Sequence, residues 1–169
     1  MNRAEPSGRD DAFISYARED LAFTRRLHDA LVARGKRVWV DLEDIPPTVD
    51  WRAEMHAGIE ESKAFVFVLS PESISSRVCM EELEHALVLR KRLVPILYRY
   101  VASTQLRAEL KAPNWISFGD AAGFDKSVDL LVEALDADYE WLDAHARYAV
   151  LAGGLGALRA GREPPSARL

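Results

Sequence analysis

Apolar residues along this chain switch repeatedly between a two-residue and a 3.6-residue period, which predicts strands alternating with helices. Residues 11–16 form a short β run. Residues 19–34 place Phe23, Leu27, Ala30 and Leu31 on one helix face, and Gly35 follows as a stop. Residues 37–41 read as a second strand. The next stretch, 42–50, holds Pro46 and Pro47 and cannot be regular structure. A helix is expected over 51–61. Residues 64–69 are apolar at every position, the mark of a central parallel strand covered on both faces. Ser70 and Pro71 are expected to end it. A helix over 76–91 carries Cys79, Leu83, Ala86 and Leu87 on one stripe. Residues 93–98 read as a fourth strand, with Pro95 pointing to an edge or a bulge. A fifth strand is expected at 114–118 and a helix at 124–136.

Five strands alternating with helices specify an α/β protein. The expected architecture is a flavodoxin-like doubly wound fold: a five-stranded parallel sheet with helices on both faces. Ligands of such folds bind beyond the carboxyl ends of the strands. The positions to inspect are therefore Tyr16, Ala17 and Arg18, then Asp41, Leu42 and Glu43, then Ser70 and Pro71, then Tyr98 and Arg99. The domain is expected to span residues 11–136, after a disordered N-terminus at 1–10. Residues 137–169 read as a helical extension, broken at Gly153, Gly154 and Gly156, and a flexible tail or linker.

Composition narrows the function. At 169 residues the chain is about one domain long, and a net charge of −5 argues against a nucleic-acid binder. The longest apolar run, 64–69, is far shorter than the roughly 18 residues of a membrane span. The first eleven residues are polar and do not read as a secretory signal. Cys79 is the only cysteine, which excludes a disulfide framework and points to a reducing, cytoplasmic setting. Eight acids fall between Asp120 and Asp143 against Lys126 alone, read as a solvated helix face.

Several devices are missing. There is no phosphate-binding G-x-x-x-x-G-K-[ST] loop, and the 153–156 glycines follow no strand. His28, His56, His85 and His145 lie far apart without metal-ligand spacing, so no metal is expected. A phosphoacceptor receiver would need acids after the first strand, an aspartate ending the third and a lysine ending the fifth; Ser15, Tyr16, Ser70 and Phe118 stand there. On the 76–91 helix, at 100° per residue, Glu81 and Glu84 point away from the apolar stripe, whereas Glu82 sits at its rim. A carboxylate there is half-desolvated beside the expected crevice, which suits a catalytic acid. A surface glutamate near a helix N-terminus is the simpler geometric account.

These residues carry a resemblance. The strand Asp11, Ala12, Phe13, Ile14, Ser15, Tyr16 resembles the opening strand of a TIR (Toll/interleukin receptor) domain. Val38, Trp39, Val40 and Asp41, with Glu43, Asp44, Ile45, Pro46, Pro47 and Trp51, are similar to its second strand and BB loop. Phe65 to Leu69 with Ser70 and Pro71 resembles the third strand and turn. Ser76, Cys79, Glu82 and Leu83 resemble the S-x-W-C-x-x-E-L signature, with Val78 in place of the usual tryptophan. The likeness covers about residues 11–136 and is closest to the bacterial branch. His145, Arg147, Pro164 and Pro165 resemble a segment that leads into downstream modules, which would make the chain the N-terminal part of a longer protein.

The resemblance implies an NAD+ nucleosidase that cleaves the nicotinamide–ribose bond and releases ADP-ribose or a cyclised product, in bacterial immune or stress signalling. It places Glu82 at the catalytic position, and Tyr16, Ala17, Arg18, Asp41, Glu43, Trp51 and Cys79 around the nucleotide. It implies no cofactor beyond the substrate NAD+, and activation by self-association through the BB loop, residues 42–50. The alternative from another class is a non-enzymatic adaptor that only assembles with other TIR domains; Glu82, often absent from such members, favours the enzyme. Transfer of nucleoside or nucleotide bases is a third, weaker reading.

Overall fold

Strands β1 (Asp10–Ser15), β2 (Val38–Trp39), β3 (Ser62–Leu69), β4 (Arg92–Leu97) and β5 (Ile116–Ser117) form one sheet in the order β2-β1-β3-β4-β5. Every neighbouring pair is parallel. The computed structural model describes residues 9–42, 50–111 and 115–137. The chain divides into two units, Met1–Leu135 and Asp136–Leu169, and the first carries the sheet. The expected helical extension and tail lie outside the described residues, apart from Ala137.

The helices are α1 (Leu21–Ala33), α2 (Trp51–Glu61), α3 (Pro71–Ser75), α4 (Arg77–Val88) and α5 (Phe124–Asp136). β3 explains how they divide between the two faces. Its side chains alternate, and from Ala64 to Leu69 none meets water, so both sets are apolar there. Ala64, Val66 and Val68 pack with Phe23, Leu27 and Leu31 of α1 and with Val128 and Leu131 of α5. Phe65, Phe67 and Leu69 face the other way, onto Ile59 of α2 and Cys79, Leu83 and Ala86 of α4. The sheet is thus covered on both sides, the doubly wound flavodoxin-like arrangement. In β1, Phe13 belongs to the α2–α4 side and Ala12 and Ile14 to the other. Ser15 therefore shares its face with Phe13, at the carboxyl end of the strand.

Several elements differ from the sequence pattern. The helix expected from residue 19 opens as a 3-10 turn, Arg18–Asp20, before α1. The strands expected at 37–41 and 114–118 are two residues each. Pro71 does not merely end β3: it occupies the first turn of α3, where its missing N–H is not needed. Ser70 caps that helix reciprocally with Ser73. Pro95 lies at a local edge, as expected: β4 is not the outermost strand, but among the described residues no β5 residue pairs opposite the proline. On its other side Pro95 pairs with Phe67 of β3. Leu97 accepts a hydrogen bond from Phe118 N on the β5 side, so the Pro95 nitrogen, two residues earlier, faces that side too. The β5 ladder begins only opposite Ile96, so no ladder bond is lost at the proline. Among the described residues no helix is long and apolar enough to cross a membrane.

Candidate functional site

The carboxyl ends of β1 and β2, with α2 and α4, enclose a cavity of about 260 Å³. Phe13, Ile14, Tyr16 and Arg18 line it from the first strand and its loop, and Trp39 and Asp41 from the second. Trp51 and Met55 of α2 close one wall; Ser76, Val78 and Glu82, from the cap and body of α4, close another. Aromatic rings run across the sheet below: Phe13 stacks on Trp39 with centroids 4.6 Å apart and on Phe65 at 5.5 Å. The other face of the Trp39 indole lies against Gly58 of α2, where a Cβ would stand 2.7 Å from the ring. With both faces covered, Trp39 offers the cavity its edge rather than a stacking surface.

Glu82 stands in the second turn of α4, whose N-terminus is fixed by Ser76 accepting from Cys79 N at 3.3 Å. The sequence pattern put Glu82 at the rim of the apolar stripe. The structure buries it further, to 7% exposure, because the end of β1 packs over it. Ser15 Oγ donates a hydrogen bond to Glu82 Oε2. Burial lifts the Glu82 carboxyl from its ordinary 4.5 to about 7; the Ser15 bond pulls it down, the Asp41 charge pushes it up and the Arg18 charge pulls it down. The Cys79 thiol is pushed up to about 11 chiefly by burial, with the Ser15 hydroxyl among the groups that pull it down. The neighbouring acids are engaged elsewhere. Glu81 pairs with Arg77 at 3.0 Å and Arg52 at 3.4 Å, and Glu84 pairs with Arg107 at 3.1 Å.

A second cluster sits at the mouth. Arg18 Nη2 donates to Asp41 Oδ2 at 2.8 Å, and Arg18 Nη1 to the Tyr16 hydroxyl at 3.3 Å. The Tyr16 hydroxyl in turn donates to the Asp41 carbonyl oxygen. Burial, first among several causes, raises the Tyr16 phenol above its ordinary value. Behind this loop lies a latch centred on the buried Asp20. Asp20 accepts from Ser70 Oγ at 2.5 Å and from Arg99 Nη2 at 2.5 Å, and Arg99 forks onto Glu72 at 3.1 and 2.5 Å. It ties together the segments that follow β1, β3 and β4.

Of the residues singled out from sequence, Tyr16, Arg18, Asp41, Trp51 and Glu82 meet at the cavity. Ala17 and Cys79 are buried and do not line it. Glu43 and the loop 43–49 lie outside the described residues. Sequence reasoning missed Ser15, Trp39, Met55 and the Asp20 latch. Ser15 carried a signal: a hydroxyl that follows Ala12, Phe13 and Ile14 at the core-facing end of a strand needs a partner. His56 and His85, far apart in the chain, stack at 3.9 Å where α2 packs on α4. Among the described residues no group of three or more His, Cys, Asp or Glu is placed to hold a metal ion.

Fold and cavity together define a flavodoxin-like α/β domain with a ligand site at the carboxyl ends of its strands, built around one buried carboxylate. Its family is set by comparison with known proteins: the family model described as "TIR domain" matches residues 12–132, and the chain belongs to the TIR domain family. Among solved structures it is similar to the TIR domain of the Toll-related receptor TRR-2 from Hydra magnipapillata, at 22% identity and a TM-score of 0.64, covering 76% of this chain and 99% of that one. It is also similar to the TIR domains of the activated Roq1 resistosome that directly recognises the pathogen effector XopQ, at 20% identity and a TM-score of 0.62, over 75% and 99% of the two chains. These two likenesses are of fold alone. A TIR-STING receptor from C. gigas, solved in complex with 2',3'-cGAMP, is 25% identical with a TM-score of 0.60. The match covers 74% of this chain and 40% of that receptor.

Proposed function

We propose that this chain is an NAD+ nucleosidase of the bacterial TIR type, with Glu82 as the catalytic carboxylate. The observation that carries this is the position of Glu82: buried, in the second turn of α4, lining a cavity walled by Trp39, Trp51 and Tyr16. Two carboxylates, Glu82 and Asp41, lining one cavity suit a positively charged pyridinium ring. When the glycosidic C–N bond breaks, its electron pair stays on the ring nitrogen and the pyridinium leaves as neutral nicotinamide. Departure then needs no general acid. The ribose is left with oxocarbenium character, which a fixed carboxylate stabilises. Water adds to C1′ and releases a proton, giving ADP-ribose; attack by a nitrogen of the adenine gives a cyclic product instead.

The test is incubation of the pure chain at high concentration with NAD+, with nicotinamide and ribosyl products separated by chromatography. Nicotinamide release is expected from the parent and should fall at least 100-fold in Glu82→Gln, given the usual scale of a transition-state electrostatic group. Glu81→Gln and Glu84→Gln should stay within about twofold, since their partners are Arg77, Arg52 and Arg107 on the helix exterior. Equal losses in all three variants, with unchanged circular dichroism, would overturn the assignment.

A further inference from the structure

We propose that Ser15 is a positioning residue for Glu82: its hydroxyl, fixed at the carboxyl end of β1, holds Glu82 Oε2 and turns Oε1 to the cavity. For the reaction this rests on Glu82 being the catalytic group. The geometry stands on three buried residues from two elements. Ser15 and Cys79 are fully buried and Glu82 nearly so. Ser15 Oγ–H donates to Glu82 Oε2, and Cys79 stands one turn before Glu82 on α4. A hydroxyl has one proton and two lone pairs. That single Ser15 proton goes to the carboxylate.

This gives Cys79 a place different from the nucleotide contact expected of it. It stands behind Ser15 and lines no part of the cavity. The sheet makes the arrangement rigid. Ser15 pairs with Phe67 of β3, the strand buried along almost its whole length. A glutamate side chain turns about three bonds, and a single oxygen held by a strand removes most of that freedom. A hydrogen bond to the ionised form also favours ionisation, so Ser15 keeps the carboxylate charged against the pull of burial. Among the described residues, the other titratable or charged groups around Glu82 are Cys79 on its own helix, Tyr16 and Arg18 after β1, and Asp41 after β2. From α2 the facing residues are Trp51 and Met55, which carry no charge.

The experiment is a ¹³C NMR titration of the glutamate side-chain carboxyls in the parent and in Ser15→Ala, with the Glu82 signal assigned by its loss in Glu82→Gln. It runs beside nicotinamide release measured across pH. In Ser15→Ala the Glu82 midpoint should move up by about one pH unit. The acidic limb of kcat/KM should move with it, and at neutral pH kcat should fall while KM stays within about twofold. Ser15→Cys keeps the side-chain size and donates weakly, so it should shift the midpoint in the same direction by less, and it serves if Ser15→Ala fails to fold. An unmoved midpoint in a folded variant would overturn the positioning role whatever the activity. A moved midpoint in a chain whose parent releases no nicotinamide would uphold the contact and overturn the nucleosidase instead.

Discussion

Glu82 ties stability to pH. Its carboxyl is raised in the folded chain to about 7 from an ordinary 4.5, so between those values the folded state binds a proton that the unfolded state has lost. The sign follows: the penalty is absent below about pH 4.5, grows as pH rises through the interval, and is complete above about 7. Its full size is about 3 kcal/mol. Urea unfolding of the parent and of Glu82→Gln at pH 4.5 and pH 8 should show the variant gaining about that much relative to the parent at the higher pH. A constant difference between the two proteins would mean that Glu82 is not desolvated.

Arg18 acts at the same scale and with the opposite charge. It is half-exposed at the mouth and already paired with Asp41, so a substrate pyrophosphate would share or take over its guanidinium. Arg18→Ala should raise the KM for NAD+ roughly tenfold and lower kcat less, as expected of a contact made equally in ground and transition states. Measurement at pH 8.5 keeps Glu82 ionised once the Arg18 charge is gone. A KM within error of the parent would remove Arg18 from the site.

Between α2 and the sheet, the fit depends on one missing methyl. Gly58 leaves room for the Trp39 indole, which is held from its other face by Phe13. Gly58→Ala drives a Cβ into that ring. It should cost about 1–3 kcal/mol of stability and, because Trp39 and Met55 line the cavity, reduce nicotinamide release by more than the lost folded fraction accounts for. Thermal melts beside activity at 15 °C separate the two effects.

The elements also show what the sequence made legible. α2 and α5 occupy the residues that their periodicity predicts, because each is flanked by a cap or a break and buries one unbroken stripe. β3 was identifiable as central from its continuous apolar run. β2 and β5 were overextended: Val40 and Phe118 have strand propensity, but where an edge ladder stops is settled by a neighbour distant in sequence. Pro71 and Pro95 were read by their missing N–H alone. The first is accommodated by a helix start and the second by a partner strand too short to need the bond. For the candidate site, the helical spacing of residues 79–87 set Glu82 apart from Glu81 and Glu84, and the likeness to TIR domains made it the catalytic candidate, whereas Ser15 needed the register of β1 against α4.

For the whole molecule the open question is control. The loop 42–50 contains Pro46 and Pro47, which donate no backbone hydrogen bonds, and Asp41 and Trp51 at its two ends both line the cavity. If self-association through this loop switches the enzyme on, specific activity should climb with protein concentration or on fusion to an oligomeric domain. Ile45→Asp should flatten that rise while Glu82 remains in place. Dilute monomer that already cleaves NAD+ at an undiminished rate per molecule would show that assembly is not the switch.

If assembly is the switch, the copies must meet in one way and not in others. The commonest wrong way is for two sheets to join edge to edge, since an outer strand offers a row of unpaired backbone donors and acceptors. Here the two outer strands, β2 and β5, are two residues long, so neither margin is a template on which a second sheet could extend. Crowding these domains together, which would seed fibres from longer margins, leaves association to helices and loops. The shortness of these strands thus guards against aggregation in a molecule proposed to work when concentrated.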